Sequence, residues 1–275
     1  LSIGGAANYG LYLDTGSDGD TIQGNYIGVR ADGTTARANT LGGVYVVSAS
    51  NLVGGTTAAT RNVLSGNGNA GLSLIGSYNV ATGNYIGTTW TGLTALQNAY
   101  DGVDVIGSGN RIGGTTAAER NVISGNGRQA IEIMTGSGTL VQGNYLGVGV
   151  DGATVLANTS GAIWLGLNAK NSTIGGTAAG AGNIIVGNNG TSTKGAIYTN
   201  STVTGIAILG NSIYNNYGLG IDLNGDGVTA NDAGDADSGP NNLQNFPVLT
   251  YAATDGAGTA YLGGSLNSTA NSYYR

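Results

Sequence analysis

A short pattern of small and apolar residues recurs along the whole chain. It consists of a Gly or Ala, an apolar residue, a variable residue and usually a second apolar residue. Copies begin about every 30 residues, at Gly10, Gly43, Gly71, Gly102, Ala130, Ala162, Ala196 and Gly220. Because apolar positions that alternate with variable ones are typical of β-strands, the pattern predicts eight short strands.

Longer motifs repeat between these strands. GNYIG begins at Gly24 and Gly83 and returns as GNYLG at Gly143, so its copies lie 59 and 60 residues apart. Two further motifs interleave with it, namely VGGT or IGGT at Val53, Ile112 and Ile174, and RNV(L/I)SGN at Arg61 and Arg120, with a weaker copy from Gly182. Repeats at a fixed spacing are typical of solenoids. Three short strands per coil predict an all-β, right-handed, three-sheet parallel β-helix of about eight coils.

Equivalent residues of successive coils should stack in columns, because neighbouring strands lie roughly 4.8 Å apart. One predicted column is apolar: Ile27, Leu64, Ile86, Ile123, Leu146, Ile185 and Ile213. The other is polar: Asn25, Asn62, Asn84, Asn121, Asn144, Asn183 and Asn211. We expect each asparagine to take a left-handed bend and to bond its amide to the asparagines above and below.

Composition narrows the possible chemistry. The chain has 53 Gly among 275 residues. Such a high glycine content argues against a helical fold, because each Gly in a helix costs about 1 kcal/mol of free energy relative to Ala. Cys and His are both absent, which excludes disulfides, thiolate or histidine metal sites and His-dependent catalysis. The net charge of −6 and scattered basic residues argue against nucleic acid as a partner. No apolar run is long enough for a membrane-spanning segment.

Three strings carry a resemblance to a known family: GNYIG, IGGTTAAERNVISGN from Ile112 and NNLQNFPVLT from Asn241. They resemble bacterial right-handed parallel β-helix repeat proteins, which form segments of large secreted or surface proteins. The resemblance implies a bacterial, secreted or surface location, and the start at Leu1 without Met fits a piece of a longer protein. We expect a β-helix over residues 1–245. Residues 246–275 are expected to begin a β-sandwich-like module, with strands over 248–252, 259–262 and 272–274.

One acidic loop matches the opening of a calcium-binding loop. Asp222, Asn224 and Asp226 place oxygen ligands at alternate positions before Gly227. The usual final Glu is missing, so Asp232, Asp235 or Asp237 would have to supply the remaining oxygens. The alternative is an ordinary solvated turn rich in Asp and Gly.

The variable position of the eight strand motifs forms a predicted outward column: Tyr12, Tyr45, Ser73, Asp104, Glu132, Trp164, Tyr198 and Asp222. Exposed rings in a row suit stacking on sugars, so Tyr12, Tyr45, Trp164 and Tyr198 are candidate polysaccharide contacts. Aromatic residues also favour β-strands without any ligand.

Asp104 and Glu132 occupy this outward position in consecutive coils, so their backbones should lie about 4.8 Å apart. This is near the separation of about 5–5.5 Å between the two carboxyl groups of a retaining glycosidase. Repulsion should raise one pKa unless a cation or Arg128 intervenes. Exposed carboxylates on a flat surface would nevertheless lack the desolvated pocket of a catalytic acid. Catalysis, contact with a ligand or ion, and an ordinary solvated pair therefore stay open.

Two further features have structural and functional interpretations. The loops over 29–42, 88–101 and 148–160 follow GNYIG on every second coil and should emerge on one side, either beside a groove or as inert spacers. Arg61 and Arg120 should bind turn carbonyls or nearby acids.

Three functions remain possible from the sequence alone. The first is a non-catalytic, adhesin-like surface module that contacts polysaccharide. The second is a polysaccharide hydrolase or lyase, although Lys170 and Lys194 have no acidic cluster near them in sequence to support lyase chemistry. The third is a segment that associates end to end through its open β-edges.

Overall fold

The computed structural model describes residues 1–188 and 194–269, and nearly all of their regular structure is β. Three parallel sheets contain 23 strands, one strand from each sheet per coil, and a small antiparallel sheet follows. The predicted all-β parallel β-helix architecture is therefore confirmed.

The first sheet contains all eight predicted strand motifs. Its strands, in spatial order, are β2 (Tyr9–Leu13), β5 (Gly42–Val46), β8 (Leu72–Leu74), β11 (Val103–Val105), β14 (Gln129–Ile133), β17 (Gly161–Leu165), β20 (Ile197–Thr199) and β23 (Ile221–Asp222). Because strand order follows chain order, each strand pairs with the equivalent strand of the next coil.

The other two sheets are built in the same way. The second contains β3 (Thr21–Ile22), β6 (Leu52–Gly54), β9 (Val80–Thr82), β12 (Arg111–Gly113), β15 (Leu140–Gln142), β18 (Thr173–Gly175) and β21 (Ala207–Leu209). The third contains β1 (Ser2–Ile3), β4 (Tyr26–Ile27), β7 (Val63–Leu64), β10 (Tyr85–Ile86), β13 (Val122–Ile123), β16 (Tyr145–Leu146), β19 (Ile184–Val186) and β22 (Ser212–Tyr214).

The core is a stack of thin apolar layers. The predicted column from Ile27 to Ile185 is fully buried, and Ile213 packs against it from the last coil with partial exposure. Leu72, Leu74, Ile131 and Ile133 of the first sheet face the same interior. Each coil thus contributes a few aliphatic side chains to the core.

The predicted asparagine column lies inside the solenoid. Each amide from Asn25 to Asn183 donates to the side-chain oxygen of the next asparagine at 2.8–3.2 Å. Two further columns were not predicted from the sequence. One contains Asn39, Asn67, Asn98, Asn126, Asn158, Asn188 and Asn216, and the other contains Asn51, Asn79 and Asn110.

The expectation that these asparagines adopt a left-handed backbone is wrong. Positive φ falls instead on glycines beside them, such as Gly83 before Asn84 with φ 66°. At Gly113 φ is 83°, and a Cβ would lie 2.0 Å from the carbonyl oxygen of Gln142 in the next coil. Glycine is therefore required there by both conformation and close coil packing.

A small antiparallel sheet follows the last coil. A short 3-10 segment, Pro240–Leu243, precedes an antiparallel hairpin of β24 (Val248–Thr254) and β25 (Ala260–Ser265). These strands coincide with two of the three predicted tail strands. The third, over 272–274, lies outside the described residues.

Candidate functional site: the outer face of the first sheet

Strand register places the predicted outward column in a single row. Consecutive members pair directly across the first sheet: Tyr12, Tyr45, Ser73, Asp104, Glu132, Trp164, Tyr198 and Asp222. We refer to this row as the outer row. The predicted alignment of Asp104 with Glu132 is therefore confirmed.

The exposure of the outer row is not uniform, however. Tyr12 is 52% exposed, whereas Glu132 and Tyr198 are each 4% exposed, and Ser73 and Asp222 are also buried. The expectation that the whole row faces solvent is wrong. The central part of the row is covered by long side chains of neighbouring coils, such as Tyr198, and by residues just before the strands, such as Arg128.

Tyr198 shows how this cover forms. Its hydroxyl is hydrogen-bonded to the side-chain amide of Gln129, two coils away. The ring passes over Gly161, where an added Cβ would lie 3.1 Å from the ring. Trp164 stacks beside it with ring centroids 6.4 Å apart. Tyr198 is consequently part of the cover and does not present a free ring face, contrary to the expectation of an exposed platform.

Three carboxyl groups meet at the centre of the outer row, and we call them the carboxyl cluster. Asp101, Asp104 and Glu132 each offer an oxygen within 4.8 Å of the others. Asp101 was not predicted, because it ends the loop before β11 and lies outside the strand motif. Its position three residues before Asp104, in the sequence Asp101-Gly102-Val103-Asp104, was the available signal.

Arg128 lies against the carboxyl cluster, as the sequence suggested. Its guanidinium contacts Asp101 at 3.2 Å and Glu132 at 3.5 Å. The second oxygen of Asp101 accepts a hydrogen bond from the backbone N–H of Gln129 at 2.8 Å. Ser73 donates to Asp104 at 3.3 Å. Arg128 therefore forms ion pairs with two of the three acids, and Ser73 bonds the third.

Burial is the main electrostatic influence on this cluster. It raises the pKa of Asp104 to about 7, with the nearby Asp101 charge acting in the same direction. Burial likewise raises the pKa of Glu132 to about 8, assisted by a hydrogen bond with Asp101. The pKa of Asp101 is also raised by burial. The expectation of exposed carboxylates without a desolvated pocket is thus wrong, and desolvation exceeds the expected mutual repulsion as a cause.

An aromatic patch occupies the N-terminal end of the outer row. The rings of Tyr12 and Tyr45 stack with centroids 5.4 Å apart, and Tyr9 stacks on Tyr45 at 4.4 Å. Tyr9 was missed because it precedes the strand motif. We call Tyr9, Tyr12 and Tyr45 the tyrosine patch. Trp164, which is half-buried, lies at the opposite side of the carboxyl cluster.

The predicted calcium loop is arranged differently from the carboxyl cluster. Both Asp222 oxygens accept from the backbone N–H of Gly227, and the Asn224 amide donates to Asp226 at 2.8 Å. Asp232 and Asp235 accept from the backbone N–H groups of Ala236 and Asn245. Within residues 1–188 and 194–269, the one acidic triad with oxygens this close together is the carboxyl cluster, so the predicted ligands Asp222, Asp226, Asp232, Asp235 and Asp237 do not form another.

The two equivalent arginines have the predicted structural role. Arg61 donates to the Gly83 carbonyl oxygen at 3.2 Å, and Arg120 donates to that of Gly143 at 3.0 Å. Each guanidinium also lies 4.1 Å from the centre of a ring, that of Tyr85 for Arg61 and that of Tyr145 for Arg120.

The three long loops stack on one another and so emerge on one side, as predicted. The backbone N–H of Trp90 donates to the Gly33 carbonyl oxygen at 3.0 Å, and that of Val150 donates to the Gly92 carbonyl oxygen at the same distance. The loop over 88–101 ends at Asp101, and it thereby positions one member of the carboxyl cluster.

Comparisons with family models, curated proteins and solved structures returned no match for this chain. Across residues 1–188 and 194–269, no helix has the length and apolar character needed to cross a membrane.

Proposed function

We propose that this chain is a non-catalytic module of a bacterial surface or secreted protein, adhesin-like, and that it binds polysaccharide along the outer row. The observation that carries the proposal is the tyrosine patch. Three tyrosine rings stack on one another at the sheet surface, and Tyr12 keeps half of its side chain exposed. Stacked, rigid rings give contact area to sugar faces at little conformational cost.

Charge favours a neutral polysaccharide over an acidic one. The chain carries a net charge of −6. The carboxyl cluster adds local negative charge to the outer row when it is ionised, and the single positive charge of Arg128 offsets only part of it. An anionic polymer laid along this face would meet like charge, which disfavours association.

Glycoside hydrolysis by Asp104 and Glu132 is the second candidate function. It is favoured by their separation of at most 4.8 Å and by a pKa of about 7 for Asp104 and about 8 for Glu132. A carboxylic acid that stays protonated near neutral pH can act as a general acid. The burial of Glu132 beside Tyr198 argues against it, because a nucleophile must reach the sugar carbon.

A calcium ion in the loop formed by Asp222, Asn224 and Asp226 remains part of the proposal. The alternating oxygen groups in the sequence support it. Removal of calcium with EDTA should then lower the melting temperature of the parent protein, and Asp226→Asn should remove the part of that response that comes from this loop.

The functional test is a polysaccharide panel. Binding to soluble β-glucan, xylan, dextran and pectin is measured by affinity electrophoresis, and reducing ends are assayed in the same samples. We expect the protein to migrate more slowly in at least one gel that contains a neutral polysaccharide, without release of reducing ends. Tyr12→Ala with Tyr45→Ala should abolish retardation, whereas the exposed control Tyr78→Ala should not.

Three other outcomes would contradict this proposal. If the variant without Tyr12 and Tyr45 is still retarded, the binding surface lies outside the tyrosine patch. If the parent releases reducing ends and the double variant Asp104→Asn with Glu132→Gln does not, the protein is a hydrolase. Absence of both binding and turnover across the panel would remove the proposed function.

A further inference from the structure

We infer that the carboxyl cluster is a binding site for a divalent cation, with Asp101, Asp104 and Glu132 as ligands and Ca²⁺ as the best-fitting ion. This site is separate from the Asp222 loop and does not depend on polysaccharide binding. The available donors are oxygen atoms from three carboxylates, which is the ligand chemistry of hard cations.

The ligand set favours calcium over magnesium, because Mg²⁺ usually keeps several waters and is held by only one or two carboxylates. Oxygens bound to one Ca²⁺ lie about 2.3–2.6 Å from the ion, so two ligands on opposite sides are at most about 5.2 Å apart. One oxygen from each of the three acids lies within 4.8 Å of the others, which is inside this limit, so Ca²⁺ needs little rearrangement of the three side chains.

Unpartnered oxygen atoms give a second, independent indication of a ligand-binding site. Asp104 Oδ1, in the cluster itself, is buried and has no hydrogen-bond partner. The side-chain carbonyl oxygen of Gln129 is also buried without a partner, in a residue only 3% exposed. Gln129 lies beside the cluster, because its backbone N–H donates to Asp101. Buried polar atoms are normally paired, so these two unpaired oxygens indicate that a cation or a hydrogen-bond donor binds beside them.

The charge balance points the same way. Three ionised carboxylates carry three negative charges, and Arg128 supplies one positive charge at 3.2 Å and 3.5 Å from two of them. Burial makes uncompensated charge costly. A divalent cation would make the ionised cluster neutral, and it would tie β11 to β14 across the first sheet.

Calcium titration of the intact protein tests the site. Melting temperature and calorimetric binding are measured at pH 7.5 with Ca²⁺ up to about 10 mM, which exceeds the range of weak extracellular calcium modules. We expect saturable binding with a rise in melting temperature. Asp104→Asn and Glu132→Gln should each weaken binding at least about tenfold. Asp20→Asn is the matched control, because Asp20 is an exposed acid outside both proposed calcium sites, and it should leave this binding step unchanged.

A crystal of the parent protein soaked in Mn²⁺ keeps the test valid even if a variant folds poorly. Anomalous density between Asp101, Asp104 and Glu132 is the expected result. Absence of any Ca²⁺ binding by the parent, binding that Asp226→Asn alone removes, or anomalous density elsewhere but not at the cluster would each overturn the inference. Loss of polysaccharide binding would not affect it, because the tyrosine patch is tested by different variants.

Discussion

Asn121 shows how one side chain holds three coils together. Its amide nitrogen donates to Asn144 at 3.0 Å and to the Ala81 carbonyl oxygen at 2.9 Å. Its side-chain oxygen accepts from the backbone and the amide of Asn84 at 2.9 Å and 3.1 Å. The side chain is thus fully bonded and fully buried.

Replacement Asn121→Ala should therefore lower the free energy of unfolding by about 1–3 kcal/mol, because it leaves buried partners unpaired. Chemical denaturation of the parent and the variant measures the change. Asn168→Ala is the control, since the Asn168 side chain is exposed. Equal effects at the two positions would contradict the structural role of the asparagine column.

The sequence predicted this column because its members lie in repeated motifs. The second column was missed because Asn39, Asn98 and Asn158 lie near the ends of the long loops, outside the repeated motifs, although they recur at the same spacing of 59 and 60 residues. Asp101 was missed for the same reason. Repeated motifs identify equivalent residues of successive coils. The contacts of residues at loop ends depend instead on the three-dimensional path of each coil, which the motifs do not give.

At the scale of the elements, Arg120 joins the turn before β13 to the next coil. It combines a hydrogen bond to the Gly143 carbonyl oxygen with contact between its guanidinium and the Tyr145 ring. Lysine keeps the charge but lacks the planar group that makes both contacts at once.

Arg120→Lys should consequently reduce stability by about 1–2 kcal/mol, the sum expected for one hydrogen bond and one partly exposed cation–π contact. The change is measured by chemical denaturation, with Arg30→Lys at an exposed position as control. If both variants unfold at the same denaturant concentration as the parent, the contacts of Arg120 contribute nothing measurable.

Strand positions and strand order were predictable from the repeats, but the burial of the outer row was not. Burial there depends on side chains that cross coils, such as the ring of Tyr198 over Gly161. Two-residue alternation says which side of the sheet a residue occupies. It does not say how far a large neighbour extends over it.

On the scale of the whole molecule, the carboxyl cluster links stability to pH. Asp104 and Glu132 have pKa values of about 7 and about 8, above their ordinary values of 3.8 and 4.5. The unfolded chain therefore loses these protons at lower pH than the folded chain does. By linkage, their contribution to stability falls as pH rises from about 4 to about 8. The pair faces Asp101, Arg128 and Tyr198. The Asp101 charge raises the pKa of both carboxyl groups, whereas the Arg128 charge lowers it.

Unfolding free energies measured in calcium-free buffer across this pH range test the linkage. The parent should lose stability with rising pH relative to Asp104→Asn with Glu132→Gln, whose neutral side chains cannot titrate. Below pH 4 other acids, such as Asp32 with its lowered pKa of about 2, act in the opposite direction. Parallel curves for the parent and the variant between pH 4 and pH 8 would show that the two carboxyl groups are not desolvated.

Oxidative footprinting of tyrosines tests most directly whether polysaccharide lies along the outer row. The parent protein is labelled alone and with a saturating amount of whichever panel polysaccharide binds it most tightly. We expect protection of Tyr9, Tyr12 and Tyr45, and unchanged labelling of the exposed Tyr78 and Tyr217. Unchanged labelling of the tyrosine patch, or protection confined to Tyr78 and Tyr217, would contradict it.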